Sequence, residues 1–105
     1  MRVLFDQRTP APICNYLPEY EVSTPAEIGW STLSNGELLD AAEKEFHVLV
    51  TTDQTLESQQ DLSRYKLGIV VLPFGSWAKL QPHADRIASR IGQVRCGEYC
   101  EIEID

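Results

Sequence analysis

The chain has 105 residues, of which 43% are hydrophobic, and its 16 acidic and 9 basic side chains give a formal net charge of −7. This length favours a single domain over residues 1–105. The negative net charge argues against a protein that binds the phosphate backbone of a nucleic acid through a net positive charge. The longest unbroken apolar run, residues 69–72, is too short to cross a bilayer. Asp6 ends the N-terminal apolar run too early for a signal peptide, so we expect a cytoplasmic protein with no membrane segment.

Strand and helix patterns alternate along the chain. The clearest local signal is Ser34-Asn35-Gly36-Glu37, which has the S-x-x-E form of a helix capping box. Alternation with short, continuous apolar strands favours an α/β fold, with a mostly parallel sheet and helices on both faces. In chain order the predicted elements are a strand over 2–5, a helix from 9 to about 17, a strand over 20–23, an irregular segment bracketed by Pro25 and Gly29, a helix from 34, a strand over 47–52, a short helix or loop over 56–62, a strand over 67–72, a loop over 73–77, a helix from 81 and a strand over 99–104.

The last predicted strand differs from the others because it is half polar. Its apolar residues alternate with Tyr99, Glu101 and Glu103, a pattern typical of a strand with one face exposed to water. We therefore expect it at an edge of the sheet, with an antiparallel orientation left open. Such an edge, residues 98–104, could support a homodimer by edge pairing.

Two predicted strands end on an acid. Asp6 follows the strand over 2–5, and Asp53 follows the strand over 47–52. Ligands of open α/β sheets bind outside the carboxyl ends of the strands, where the strand order switches. Glu37 lies in the first turn of the helix that leads back to the Asp53 strand, and that turn belongs at the same edge. We therefore expect Asp6, Glu37 and Asp53 to converge.

Three carboxylates in one cleft would repel each other, and a divalent cation removes that cost. Oxygen ligands with open positions suit Mg²⁺ or Mn²⁺, which can activate water and stabilise charge on a phosphodiester. Each acid also has a purely structural interpretation. Asp6 could start the turn before the helix at position 9, Glu37 could serve only the capping box, and Asp53 could cap the turn that begins at Gln54.

Other polar and aromatic side chains follow the predicted strand ends. Ser76 could hydrogen-bond a substrate or simply form a turn. Trp77 could stack on a base or pack against the following helix. The basic residues that could contact phosphate, or remain solvated surface charges, are Arg8, Arg64, Lys66 and Lys79.

Four segments together resemble the small stand-alone PIN-like domains, and more closely the toxin-type branch of that superfamily. The segments are VLFDQ at 3–7, Gly29-Trp30 together with SNGELLDAA at 34–42, VLVTTD at 48–53 and IVVL at 69–72, and the resemblance covers most of the chain. It implies a three-layer α/β/α domain with a mostly parallel central sheet and an Mg²⁺- or Mn²⁺-dependent nuclease site, acting most often on RNA. In that branch a small helix-turn-helix antitoxin often holds the toxin inactive.

The resemblance also implies roles for individual residues. Asp6, Glu37 and Asp53 take the acidic motif positions that bind the metal and perform catalysis. Asn35, Gln60 and Asp61 would lie around the metal ligands or face the substrate, together with Arg8 and Ser76.

The chain departs from the family pattern at Gln7 and Arg8, where relatives often have Glu-Asn, and it has no clear fourth acid. These departures define the alternative function, a catalytically inactive PIN-like module that acts through protein contacts. A phosphotransfer or phosphate-sensing domain that uses the same strand-end acids is a third interpretation.

Overall fold

Parallel strands form the centre of the molecule. The computed structural model describes residues 2–59 and 61–104, except for the side chains of residues 35, 57, 59 and 63. Within these ranges the sheet has five strands in the order β2-β1-β3-β4-β5, and every neighbouring pair is parallel. The strands are β1 (Arg2–Phe5), β2 (Glu21–Ser23), β3 (Val48–Thr51), β4 (Gly68–Val71) and β5 (Tyr99–Glu101).

Both faces of the sheet are apolar. In β1, Val3 and Phe5 point to one cluster of buried side chains while Leu4 points to the other, as the alternation of side chains along a strand requires. All four residues of β3 and of β4 are buried. A sheet covered on both faces is the middle of three layers, so the predicted α/β/α architecture with a parallel sheet is confirmed.

The helices divide between the two faces. The first face carries the 3₁₀ helix Ala11–Tyr16 and two helices of the second half of the chain, α4 (Trp77–Leu80) and α5 (Ala84–Gln93). The second face carries α2 (Asn35–Glu45) and α3 (Leu56–Gln59), with the end of α1 (Pro25–Ile28) packed at its margin. None of the helices in the described ranges is long and apolar enough to cross a membrane.

Local sequence signals set where the helices begin and end. The predicted capping box is confirmed, since Ser34 Oγ accepts a hydrogen bond from Glu37 N–H (3.3 Å) and Glu37 Oε1 accepts one from Ser34 N–H (3.0 Å). A second capping box, formed by Thr24 and Glu27, begins α1. That helix ends at Gly29, whose φ of 79° favours a residue without a side chain.

The segment bracketed by Pro25 and Gly29 is predicted to be irregular, but it contains α1. The Thr24–Glu27 capping box and the proline at the first helical position begin a helix there.

Three other predicted elements differ from the structure in detail. The helix predicted from position 9 is a 3₁₀ helix over Ala11–Tyr16, followed by the helix-stopping Pro18. The helix predicted from position 81 is preceded by α4 and by a 3₁₀ turn over Gln81–His83. The last strand lies at an edge, as predicted, but it is parallel and ends at Glu101.

The chain connections place a switch point between β1 and β3. From β1 the chain passes over the first face to β2, and then returns over the second face to β3 on the other side of β1. The carboxyl ends of β1 and β3 therefore flank the position where successive connections leave in opposite directions. In open α/β sheets a crevice that binds ligands forms at this position.

The last connection differs in hand from the other three. It runs from β4 to β5 over the first face, in the direction opposite to the β1-to-β2 connection on that face. About 98% of parallel crossovers are right-handed, and the first three connections share one hand. The strand β5 lies at the outer edge of the sheet, and β3 and β4 separate it from the switch point.

Candidate functional site

A cavity of about 520 Å³ opens at the switch point. Its walls come from the segments that follow β1 and β3, from the start of α1, and from the segment between α1 and α2. Asp6 and Asp53 both contribute to the lining, together with Arg8, Thr52 and Trp30. The sheet register brings the two acids to this edge, because Phe5 pairs with Val50 and each acid lies just beyond the strand that carries that residue.

The Asp6 carboxylate is held in place by two hydrogen bonds. Its Oδ2 accepts from Thr51 Oγ1 (2.8 Å) and its Oδ1 accepts from Gln7 N–H (2.7 Å). The backbone continues the strand ladder, since Asp6 N–H donates to Val50 O (2.8 Å), and then turns, since Thr9 N–H donates to Asp6 O (2.9 Å). Asp6 thus starts a turn and also presents a fixed, half-buried carboxylate to the cavity.

Thr51 links the two strand ends. Its side chain is only 1% exposed. The hydroxyl donates to Asp6 Oδ2 and accepts from Asp53 N–H at 3.1 Å. The sequence pattern predicts Thr51 only as an ordinary strand residue. The signal that was available is a hydroxyl at the last position of an otherwise apolar buried strand, where a buried polar group needs partners.

Asp53 forms a cap as well as part of the cavity wall. Its Oδ1 accepts from Thr55 N–H (2.9 Å) and from Thr55 Oγ1 (2.7 Å). This pattern holds the turn that leads into α3, so the structural interpretation of Asp53 is correct. The side chain is half-buried and lines the same cavity as Asp6, so the turn also fixes the carboxylate next to the switch point.

Glu37 lies elsewhere. Its exposed carboxylate turns back to Ser34 in the capping box, and the cavity lining does not include it. The hydrogen bonds from the Ser34 backbone and hydroxyl lower the pKa of Glu37, because they stabilise the charged form. Of the three acids expected to converge, the cavity therefore brings two together. The neighbour of Glu37 in the chain, Leu38, lines the cavity.

Arg8 provides the positive charge in the cavity. Its side chain is exposed, and no described residue forms an ion pair or hydrogen bond with its guanidinium. The backbone of Arg8 is confined by the loop after β4, because a Cβ at Gly75 would lie 3.1 Å from Arg8 O. Arg8 therefore has a backbone packed against this loop, and it lines the cavity together with the two acids.

The other predicted site residues either lie outside the cavity lining or belong to the part of the chain that the structure does not describe. Ser76 is exposed at the start of α4, where its carbonyl accepts from Lys79 N–H and Leu80 N–H. Asp61 is exposed, and its carbonyl accepts from Arg64 N–H. The backbone of Asn35 begins α2, but its side chain is outside the described part of the chain, and so is the whole of Gln60.

The aromatic side chain in the cavity is not the one suggested by the sequence. Trp77 lies outside the lining, packs against the first-face cluster and is tilted on Tyr16 with 6.1 Å between ring centroids. The packing interpretation of Trp77 is therefore correct. Trp30 lines the cavity instead. Its contribution could not be predicted because it follows α1 in an irregular segment whose path depends on tertiary packing.

The cavity offers carboxylate oxygens, the type of ligand that Mg²⁺ and Mn²⁺ prefer. Mg²⁺ often takes only one or two carboxylates from a protein and completes its shell with waters and substrate phosphates. Each Asp6 oxygen accepts one hydrogen bond, and a carboxylate oxygen can accept two, so coordination capacity remains. Among the described side chains, no group of three or more His, Cys, Asp or Glu is arranged to hold a metal.

Comparison with known proteins adds no relative: no family model, no curated protein and no solved structure matches this chain. The function of this chain is therefore inferred from the geometry of the cavity and from the sequence motifs.

Proposed function

We propose that this chain is a PIN-like, divalent-metal-dependent nuclease that cleaves RNA in the cytoplasm, as the toxin of a toxin–antitoxin pair. One observation supports this proposal above the others. Two fixed carboxylates, Asp6 and Asp53, line one cavity at the strand switch point beside the Arg8 guanidinium. The choice of RNA, and of a small helix-turn-helix antitoxin as the partner, follows from the resemblance of the motifs.

Each of the three charged side chains has a distinct task in this proposal. Asp6 and Asp53 hold Mg²⁺ or Mn²⁺, directly or through water, and when bound the ion supplies positive charge to a phosphodiester and lowers the pKa of a coordinated water. Asp6 stays oriented because the buried Thr51 hydroxyl donates to it. Arg8 contacts a phosphate oxygen and fixes the substrate, since a guanidinium matches the geometry of a phosphate.

The proposal also accounts for how an acidic protein accepts a polyanion. The chain carries a net charge of −7, and two carboxylates in one cavity repel phosphate. A bound divalent cation reverses the sign of the local charge. RNA binding should therefore depend strongly on the cation, in contrast to proteins that bind through a broad basic surface.

A second function is supported by the position of Glu37. Its carboxylate is used by the capping box, so the cavity has one acid fewer than the motif pattern implies. The same fold would then act only through protein contacts, as an inactive PIN-like module or as a homodimer.

An RNA cleavage assay separates the two functions. A labelled single-stranded RNA is incubated with the wild-type protein, with Asp6→Asn and with Glu45→Gln, in Mn²⁺ and in chelator. Glu45 is exposed at the other end of α2, so its substitution removes one negative charge far from the cavity. The nuclease proposal requires cleavage by the wild type and by Glu45→Gln that depends on Mn²⁺ and is lost in Asp6→Asn. Folded wild-type protein that does not cleave in Mn²⁺ would favour the inactive module.

A further inference from the structure

The Trp30 indole is fixed at the wall of the cavity. Its backbone is held by hydrogen bonds to Pro25 O (2.8 Å) and from Leu33 N–H (3.1 Å). The next residue is tied to the segment after β1, because Gln7 Nε2 donates to Ser31 O (2.6 Å). Trp30 and the Asp6 turn therefore keep a defined relative position.

The ring itself is half buried. The Trp30 and Phe46 rings meet edge to face, with 5.8 Å between centroids and an interplanar angle of 82°. Phe46 is only 5% exposed, so it anchors the contact in the second-face cluster. Trp30 is only half buried and lines the cavity, and no described residue accepts a hydrogen bond from its ring N–H.

We propose that Trp30 forms a base-stacking subsite for an unpaired nucleotide, next to the position where Asp6, Asp53 and Arg8 receive the phosphate. This inference rests on the proposed function, because it assigns the second part of the ligand of the same cavity. A nucleotide has an aromatic base and a charged phosphate. The cavity likewise combines an aromatic residue, Trp30, with Arg8 and two carboxylates. The base takes the apolar wall, and the phosphate takes the charged wall.

The subsite selects for unpaired bases. A base within a duplex already has neighbours on both faces, so it reaches the indole only after it leaves the stack, which costs free energy. A strand without bases retains the phosphate contacts but has nothing to place on Trp30. Loss of one stacking contact is expected to weaken binding by roughly tenfold, within the range measured for aromatic residues that stack on bases.

Tryptophan fluorescence tests the subsite separately from catalysis. The chain has two tryptophans, so Trp77→Phe leaves Trp30 as the single indole, and Trp30→Phe is the matched control that keeps an aromatic ring against Phe46. Both variants and the wild type are titrated in Mn²⁺ with a cleavage-resistant, phosphorothioate-linked single strand of RNA. The same strand as a duplex and as an abasic backbone serve as comparisons, and fluorescence anisotropy of the labelled strand measures binding independently.

We expect the single strand to quench Trp30 emission in Trp77→Phe, with the duplex and the abasic strand binding about tenfold more weakly. Trp30→Phe keeps a smaller ring that stacks more weakly, so it should weaken binding of the single strand by a few-fold and leave binding of the abasic strand unchanged. If Trp77→Phe does not fold, the difference between the wild type and Trp30→Phe gives the same comparison.

The subsite is overturned if the strand fails to bind, binds without a change in Trp30 emission, or binds as tightly without its bases. Quenching without RNA cleavage would refute the nuclease and retain the subsite. Cleavage of RNA with no effect of Trp30→Phe on affinity would refute the subsite and retain the nuclease.

Discussion

The strand ends and the start of α2 use the same residue types in different ways. Asp6 and Asp53 follow neighbouring parallel strands, and the register of β1 and β3 brings both to one cavity. Glu37 occupies the first turn of a helix, and its carboxylate is bound by Ser34, three residues earlier. Long-range pairing places the first two acids, whereas a local capping motif places the third.

This difference teaches how to weigh a candidate acid in a sequence. An acid with a strong local partner has a structural role that its own neighbours explain, and it need not reach the site. Asp53 shows that a cap and a site are compatible, because the turn it holds also fixes the carboxylate at the cavity wall.

The rate of RNA cleavage should differ most between a variant of the strand-end acids and a variant at the start of α2. Asp53→Asn should reduce Mn²⁺-dependent RNA cleavage by about a hundredfold or more, because it removes one of the two carboxylates proposed to hold the divalent cation. Glu37→Gln should leave the cleavage rate within a few-fold, since glutamine also completes a capping box. Single-turnover cleavage rates of the two variants measure the contrast. Equal losses in both variants would place Glu37 in the catalytic site and break the comparison.

The buried link between the strand ends should contribute to stability. Thr51→Val keeps the shape of the side chain but leaves the Asp6 carboxylate and the Asp53 N–H without the hydroxyl. We expect a loss of about 1–3 kcal/mol in the free energy of unfolding, measured in urea. Thr51→Ser is the control, because it retains the hydroxyl and removes only a methyl group. Thr51→Val as stable as the wild type would mean that the hydroxyl does not hold the strand ends together.

The capping region should affect stability without affecting the cavity. Ser34→Ala removes the acceptor for Glu37 N–H and should cost about 1 kcal/mol of unfolding free energy. Ser34→Asp should retain most of the stability, since aspartate is also a good N-cap residue. Affinity for Mn²⁺ should be the same in all three proteins. A fall in metal affinity with Ser34→Ala would show that the cap also shapes the cavity.

The smallest expected effect is a pH dependence. Hydrogen bonds from Ser34 lower the pKa of Glu37 below its ordinary value of 4.5. The charged carboxylate therefore stabilises the folded state above pH 4.5, and this contribution is lost as the pH falls through the lowered pKa. The stability difference between the wild type and Glu37→Gln, measured in urea across this range, should shrink towards acid pH. A difference that grows with acidification would contradict the assigned hydrogen bonds.

Much of the fold could be predicted because its determinants are local. The apolar strands, the capping box at Ser34 and the alternation of elements specify an α/β sheet without any knowledge of tertiary contacts. The parallel direction of β5 could not be predicted, because its three residues take their direction from pairing with β4. The connection from β4 to β5 has the hand opposite to that of the other three connections, and this makes the pairing of β5 with β4 still harder to predict.

The candidate site was only partly predictable for a similar reason. Asp6 and Asp53 were recognisable because each follows a buried strand, and a parallel sheet aligns such positions. Trp30 and Thr51 carry weaker signals. Trp30 belongs to the Gly29-Trp30 part of the resemblance but lies in an irregular segment, and Thr51 is marked only by a hydroxyl at the end of an apolar strand. Their proximity to the acids arises from packing between segments distant in sequence, such as the hydrogen bond that joins Gln7 to Ser31.

The proposed function requires that Asp6 and Asp53 form one cation site at the switch point. Isothermal titration of Mn²⁺ into the wild type, Asp53→Asn and Glu45→Gln tests it most directly, because it requires neither substrate nor partner. The account predicts binding to the wild type and to Glu45→Gln, and loss of that binding in Asp53→Asn. A folded wild type that releases no heat of binding, or an Asp53→Asn variant that binds as tightly, would contradict it.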